Sequence, residues 1–284
     1  MIDIWYKFID LFPFAWTNYE FMQNALLSVV IITPCFGLIG TMVVGNRMAF
    51  FSDVIGHSAL TGVAIGVILG LADVRPAMII FAVILSLAVN IILEKTKASS
   101  DTVMGVFASI TAALGIALLS RVGSFNKYSI YLIGDILSVT TDDIFYIGIL
   151  FVSIILFWIF FGNYLALMSV EPALVYGRFI SPFIIRTFFS TLVALIVILS
   201  IKWVGLLIIN SLFILPAASA RLISRSLREY CLRSILISII SGICGLIISF
   251  YAGSTCGATI VICAAFIYLS IIMFKSFSRS LSNY

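Results

Sequence analysis

Charge is what this chain has least of. Asp, Glu, Lys and Arg make up 10% of its 284 residues, where a soluble domain carries about 25%. So few charges cannot cover a surface that faces water. Histidine occurs once, and the five cysteines form no C-x-x-C pair. The close-spaced thiolate motif of many metal sites is therefore missing, and the cysteines read as small hydrophobes buried in or near apolar runs. Only Cys256 is expected near the outer surface. A G-x-x-x-x-G-K-[ST] phosphate loop is missing, so the chain does not hydrolyse nucleotide by that route. H-E-x-x-H and G-x-S-x-G are missing too, and a single histidine leaves no nucleophile–base pair, so nothing points to an enzyme. A basic start followed by a clean apolar core and a small-residue cleavage site is also lacking, and no signal peptide is expected.

What is present is apolar. Hydrophobic residues reach 63%, with a mean hydropathy of +1.25, and the solvent that tolerates this composition is a bilayer. The length accommodates roughly eight or nine helices of about 20 apolar residues each. The expected fold is an all-α polytopic integral membrane protein, multi-pass in the cell membrane. Nine apolar runs carry it: 21–44, 48–71, 76–93, 102–120, 144–161, 184–201, 204–220, 232–251 and 258–274. A tenth, Tyr128–Leu137, is too short to cross and reads as re-entrant or interfacial. Residues 1–20 are aromatic-rich and read as a segment lying in the interface. Residues 21–275 form the transmembrane domain, and 276–284 a short cytoplasmic tail.

The net charge of +4 points to basic residues held on the cytoplasmic side, not to nucleic acid. With the N-terminus outside and nine crossings, eleven of the 16 Lys and Arg residues fall inside. The stretch from Asn163 to Pro182 is then cytoplasmic. It is the longest polar-leaning interval between runs, and Glu171-Pro172 suits the first turn of a short helix. Such a helix is either a handle for a partner protein or a plain connector.

The sharpest local feature is Ser52-Asp53-Val54-Ile55-Gly56-His57. Asp53 and His57 are four apart, so they share one helical face. Ionisable side chains in an apolar run are costly and mark function. Carboxylate oxygen and imidazole nitrogen are donors that zinc and manganese accept. Two donors make an incomplete site, and a homodimer would bring four. The alternative is a structural Asp–His hydrogen bond between helices. Gly62, Gly66 and Gly70 form a small-residue stripe for close packing on the same helix. Other polar residues in or beside the runs are Asn90, Asp135, Asn210 and Ser211. Asn210 and Ser211 read as pathway residues or as glue between helices. Pro216 frees backbone carbonyls and offers a kink for gating. Asp135, after Gly134, either attracts cations near an entrance or caps a turn.

Four segments carry a resemblance to a known family. They are Asn46–Leu60 with its Ala-Phe-Phe-Ser-Asp run, Asp101–Gly105, Tyr131–Leu137, and Val204–Leu207 continued through Leu215–Arg221. Together they resemble the zinc/manganese permease family of ABC transporters over residues 20–275. The resemblance implies a homodimeric permease docked on two ATP-binding cassette subunits and served by an extracytoplasmic metal-binding protein. It implies that Asp53 and His57 touch the passing metal, and that Glu171, Ala173 and Gly177 belong to the cytoplasmic helix that meets the ATPase. The Ala-Phe-Phe-Ser-Asp run and the Gly134-Asp135 pair lean to the zinc branch. Gly257-Ala258-Thr259 departs from the family's usual Gly-Pro or Gly-Ser.

The function these residues and this resemblance lead one to expect is import of a divalent transition metal, zinc before manganese, by alternating access. The chain itself binds no cofactor, and ATP is hydrolysed in a separate subunit. Two rivals stay open: an ion-coupled secondary carrier in which Asp53 and His57 relay protons, and an ABC permease for a chelated ligand such as a siderophore.

Overall fold

The computed structural model describes residues 5, 6, 9, 15–96, 98–123, 128, 133–170 and 181–282. Among them are nine α-helices and no strand. They are α1 (Glu20–Gly45), α2 (Phe51–Ile68), α3 (Arg75–Lys95), α4 (Ser100–Val122), α5 (Thr141–Val170), α6 (Pro182–Val204), α7 (Leu206–Ile223), α8 (Leu227–Ala252) and α9 (Cys256–Ser282). Every one except α7 is long and apolar enough to cross a membrane. At 1.5 Å per residue, the 26 residues of α1 reach about 39 Å, more than the ~30 Å hydrocarbon core.

The boundaries follow ordinary helix chemistry. Ser99, Ser181 and Ser226 each accept a hydrogen bond from a backbone N–H in the first turn of α4, α6 and α8, as N-caps do. Pro76 and Pro182 sit in first turns, where the missing N–H costs nothing. Gly123 and Gly253, at φ 68° and 62°, end α4 and α8 in the left-handed conformation. Two expectations move. The fifth helix runs on to Val170, so Asn163–Val170 is helix and not connector. Val204 closes α6 instead of opening α7. Gly205, at φ 86°, makes the break, and its own Cα hydrogens sit where a Cβ would strike the Ile133 carbonyl.

The chain divides into two compact units. The first draws on residues 1–41, 135–155 and 211–284. In it α1 and α8 approach on small residues. A Cβ on Gly37 would meet the Ser234 carbonyl at 2.8 Å. The Ser234 and Ser238 hydroxyls donate to the carbonyls of Gly37 and Thr33, each at 2.6 Å. Gly245 likewise seats α8 on Ile260 of α9. Where lipid supplies no hydrophobic drive between helices, close backbone approach and interhelical hydrogen bonds are what hold them.

The second unit, residues 42–134 and 156–210, is built around α2, which packs against α3, α4 and α6. Gly62 lies on the Met78 backbone, Gly66 on Val74 and Ala77, and Gly115 of α4 on Leu60 and Thr61. Thr61 donates across to the Thr111 carbonyl at 2.7 Å. Gly70 does not continue this stripe. It has nothing within 4 Å and takes φ 69° in the turn after α2. Phe157 and Phe161 of α5 stack with Phe188 of α6.

The five cysteines are free. Cys244 departs from the expected burial. It is exposed on α8, while Cys256 is buried at the start of α9.

Candidate functional site

The site begins with a tight reversal. After α1, Arg47 takes φ 58°, and Met48 N–H bonds back to the Val43 carbonyl at 2.8 Å, with Arg47 N–H to Val44 at 3.3 Å. This is the paired hydrogen-bond pattern that ends helices, with arginine where glycine is usual. It lets α2 start at Phe51, three residues after the buried Met48.

From Phe51 to Ala64 every residue of α2 is buried except Asp53 and His57. Their side chains are 35% and 28% exposed, and His57 Nε2 lies 3.7 Å from Asp53 Oδ1. That separation exceeds a hydrogen bond. Neither makes another ion pair or side-chain hydrogen bond among the described residues. No hydrogen bond from either residue to a second helix occurs among the described residues. Asp53 also lies in the first turn of α2, where the helix dipole favours a carboxylate. Two donors bound at about 2.1 Å to a tetrahedral metal stand about 3.4 Å apart. The observed spacing is near that edge, and both groups reach the same open side of α2. No cluster of three His, Cys, Asp or Glu occurs among the described residues, so within one chain the pair offers two donors and no third.

The other candidate residues fall in different places. Asn210 comes to the pair's neighbourhood. Its Oδ1 accepts from the buried Ser52 hydroxyl at 2.6 Å, one residue before Asp53. This link was not legible in the sequence, because Ser52 and Asn210 are 158 positions apart. Pro216 lies inside α7, which continues through it to Ile223. Asp135 is exposed and caps a single 3-10 turn, Ile136–Ser138, its Oδ1 accepting from Leu137 N–H at 3.0 Å. The cap is formed, and attraction of cations by the exposed carboxylate is compatible with it. Glu171, Ala173 and Gly177 lie outside the described residues. Asn90, noted in the sequence without a role, is fully buried between α3 and α6.

An almost wholly enclosed helix that opens one carboxylate and one imidazole to the same side fits a cation pathway through a membrane protein. Residues 18–275 match the ABC 3 transport family. The chain belongs to that family. Among its relatives, the high-affinity zinc uptake system membrane protein ZnuB of Haemophilus influenzae is 34% identical over 88% of this chain and 96% of its own length. The manganese import system permease protein ScaB of Streptococcus gordonii is 30% identical over 89% of this chain and 90% of its own. Among solved structures, PsaBC from Streptococcus pneumoniae in complex with Fab superposes with a TM-score of 0.78 at 27% identity, covering 95% of each chain. The chain is thus a multi-pass membrane transport subunit of this family, and its relatives include both zinc and manganese proteins.

Proposed function

We propose that this chain is the membrane-spanning permease of an ATP-driven importer of a divalent transition metal, zinc before manganese. The carrying observation is the single open stripe on α2. An ion crossing a bilayer needs donors that replace its water, and Asp53 and His57 are the donors this glycine-packed helix leaves open. The zinc preference rests on imidazole and on the zinc-uptake relative at 34% identity.

Two donors hold an ion weakly, and weak holding suits transport, since the ion must also leave. The remaining coordination comes from water and from the same pair in a second copy of the chain. An extracytoplasmic metal-binding protein delivers the ion from outside. The Asp135 carboxylate stands near that entrance. Asn210, bonded to Ser52, holds the first turn of α2 in place, and Pro216 gives α7 a point of bending for gating. ATP bound by a separate cassette subunit shifts the inward–outward equilibrium. That shift enters through Glu171, Ala173 and Gly177, which join α5 to α6. Residues 1–20 lie in the interface and 276–284 on the cytoplasmic side.

The test is zinc and manganese uptake in cells lacking the native protein, complemented with wild type, Asp53→Asn or His57→Ala at matched membrane levels. Wild type restores uptake of one metal, and each variant lowers it at least tenfold. Uptake that survives loss of the ATPase subunit would instead indicate an ion-coupled carrier. Full metal uptake by Asp53→Asn would remove the pair from the pathway and turn attention to a chelated ligand.

A further inference from the structure

The seam between α3 and α6 is polar in the middle of an apolar unit. On α3, Ser86, Asn90 and Glu94 recur every four residues and so share one face. On α6 they meet Ser190, Thr191 and Arg186. Asn90 Nδ2 donates to the Ser190 hydroxyl at 2.6 Å and to the Ser86 carbonyl at 2.8 Å. The Ser86 and Ser190 hydroxyls are 3.0 Å apart. At the end of the seam Arg186 pairs with Glu94 at 2.8 Å.

This seam is incompletely paired. Five buried side-chain polar atoms among the described residues have no partner, and three of them belong here: Asn90 Oδ1, Thr187 Oγ1 and Arg186 Nε. Asn90 itself is 0% exposed. Its amide cannot be turned round to solve this, because the Ser86 carbonyl accepts only from the Nδ2 side. Thr187 is one turn from Ser190 on α6, and its own carbonyl already accepts from Ser190 at 2.9 Å. An acceptor on α3 and a hydroxyl on α6, each unpaired, buried and adjoining Ser190, are complementary. Unpaired buried polar groups are costly, and such cost is retained where another arrangement uses the groups.

We infer that the α3–α6 seam has two pairings and that Asn90 and Thr187 are positioning residues for transport. In the second pairing α6 shifts against α3 so that the Thr187 hydroxyl donates to Asn90 Oδ1. Small helix shifts between two discrete packings are a standard switching move. The placement gives this one a consequence. α6 starts at Pro182, directly after the segment proposed to meet the ATPase, and α3 seats α2 through Met78 on Gly62. A shift at the seam therefore reaches the helix bearing Asp53 and His57. This inference rests on the transport reading above.

Thr187→Val decides it. The Thr187 hydroxyl bonds nothing in the present conformation, so a purely structural role predicts no loss. In the complete transporter, we expect Thr187→Val to leave the thermal midpoint unchanged within experimental error and the ATPase rate within twofold of wild type. Metal moved per ATP hydrolysed falls at least fivefold, and Thr187→Ser restores it. Unchanged metal per ATP in Thr187→Val would overturn the inference, as would a joint fall in protein level, ATPase and uptake. A second measurement uses Ser86→Cys with Ser190→Cys in a background whose five native cysteines are replaced. Oxidation should stop uptake and reductant should restore it. Equal uptake by the oxidised and reduced forms would show that the seam does not move. If the wild-type transporter moves neither zinc nor manganese, the failure belongs to the transport reading, not to the seam.

Discussion

α2 and α9 are both apolar helices of a membrane protein, and they use their apolarity in opposite ways. Of the residues in the membrane-length window, 72% are buried in α2 and 17% in α9. α9 turns Ile262, Phe266, Leu269, Met273 and Phe274 outward, an apolar face of the kind lipid accepts and where a polar group would be costly. α2 is the least apolar of the eight long helices, yet it is the most enclosed part of its unit. Because protein surrounds it, it accommodates glycines, hydroxyls and a carboxylate–imidazole pair that a lipid-facing helix could not. Between these two helices, the higher hydropathy goes with the exposed one and the lower with the enclosed one.

The comparison can be broken most severely at Gly62. A Cβ there would lie 2.6 Å from Met78 Cα, and backbone cannot yield as a side-chain tip does. Gly62→Leu should cost at least about 3 kcal/mol, the upper part of the overpacking range. The expected result is loss of folded protein, read as yield and thermal midpoint in detergent. Next is Ser52→Ala. It removes the 2.6 Å bond to Asn210, about 1 kcal/mol on stability, and should lower uptake severalfold by loosening the turn that carries Asp53. Phe266→Ala sharpens the contrast from the other side. The ring is 70% exposed, so its truncation should leave both thermal midpoint and uptake within experimental error, where a comparable change in α2 would not.

The smallest effect is expected in the turn between α2 and α3. The Asp73 carboxylate accepts from the Arg75 backbone N–H and guanidinium, and these hold its pKa below the ordinary carboxylate value. A lowered folded-state pKa contributes stability above the unfolded value of about 4, and that contribution is lost as pH falls through the folded value. The group is exposed and solvent screens it. Asp73→Asn should therefore flatten the thermal midpoint slightly below pH 5 and leave neutral-pH uptake unchanged. A change in uptake at pH 7 would show that this turn does more than end two helices.

Much of this protein is determined locally, and so is legible in its sequence. Nine apolar runs became nine helices among the described residues, because a backbone in lipid must satisfy its hydrogen bonds within each segment. Caps at Ser99 and Ser181 and glycine stops at Gly123 and Gly253 depend only on neighbours a few residues away. The Asp53–His57 pair was visible for the same reason, since four residues span one turn. Tertiary structure decided which faces of those helices see protein. Nothing local told Gly62, which packs on Met78, from Gly70, which ends a turn, or placed Cys244 outside and Asn90 inside. Nothing local paired Ser52 with Asn210 or Ser86 with Ser190, because those bonds depend on the approach of helices more than a hundred residues apart. Periodicity sets how a helix is striped; only its neighbours decide which stripe stays open, and here the open stripe is Asp53 and His57.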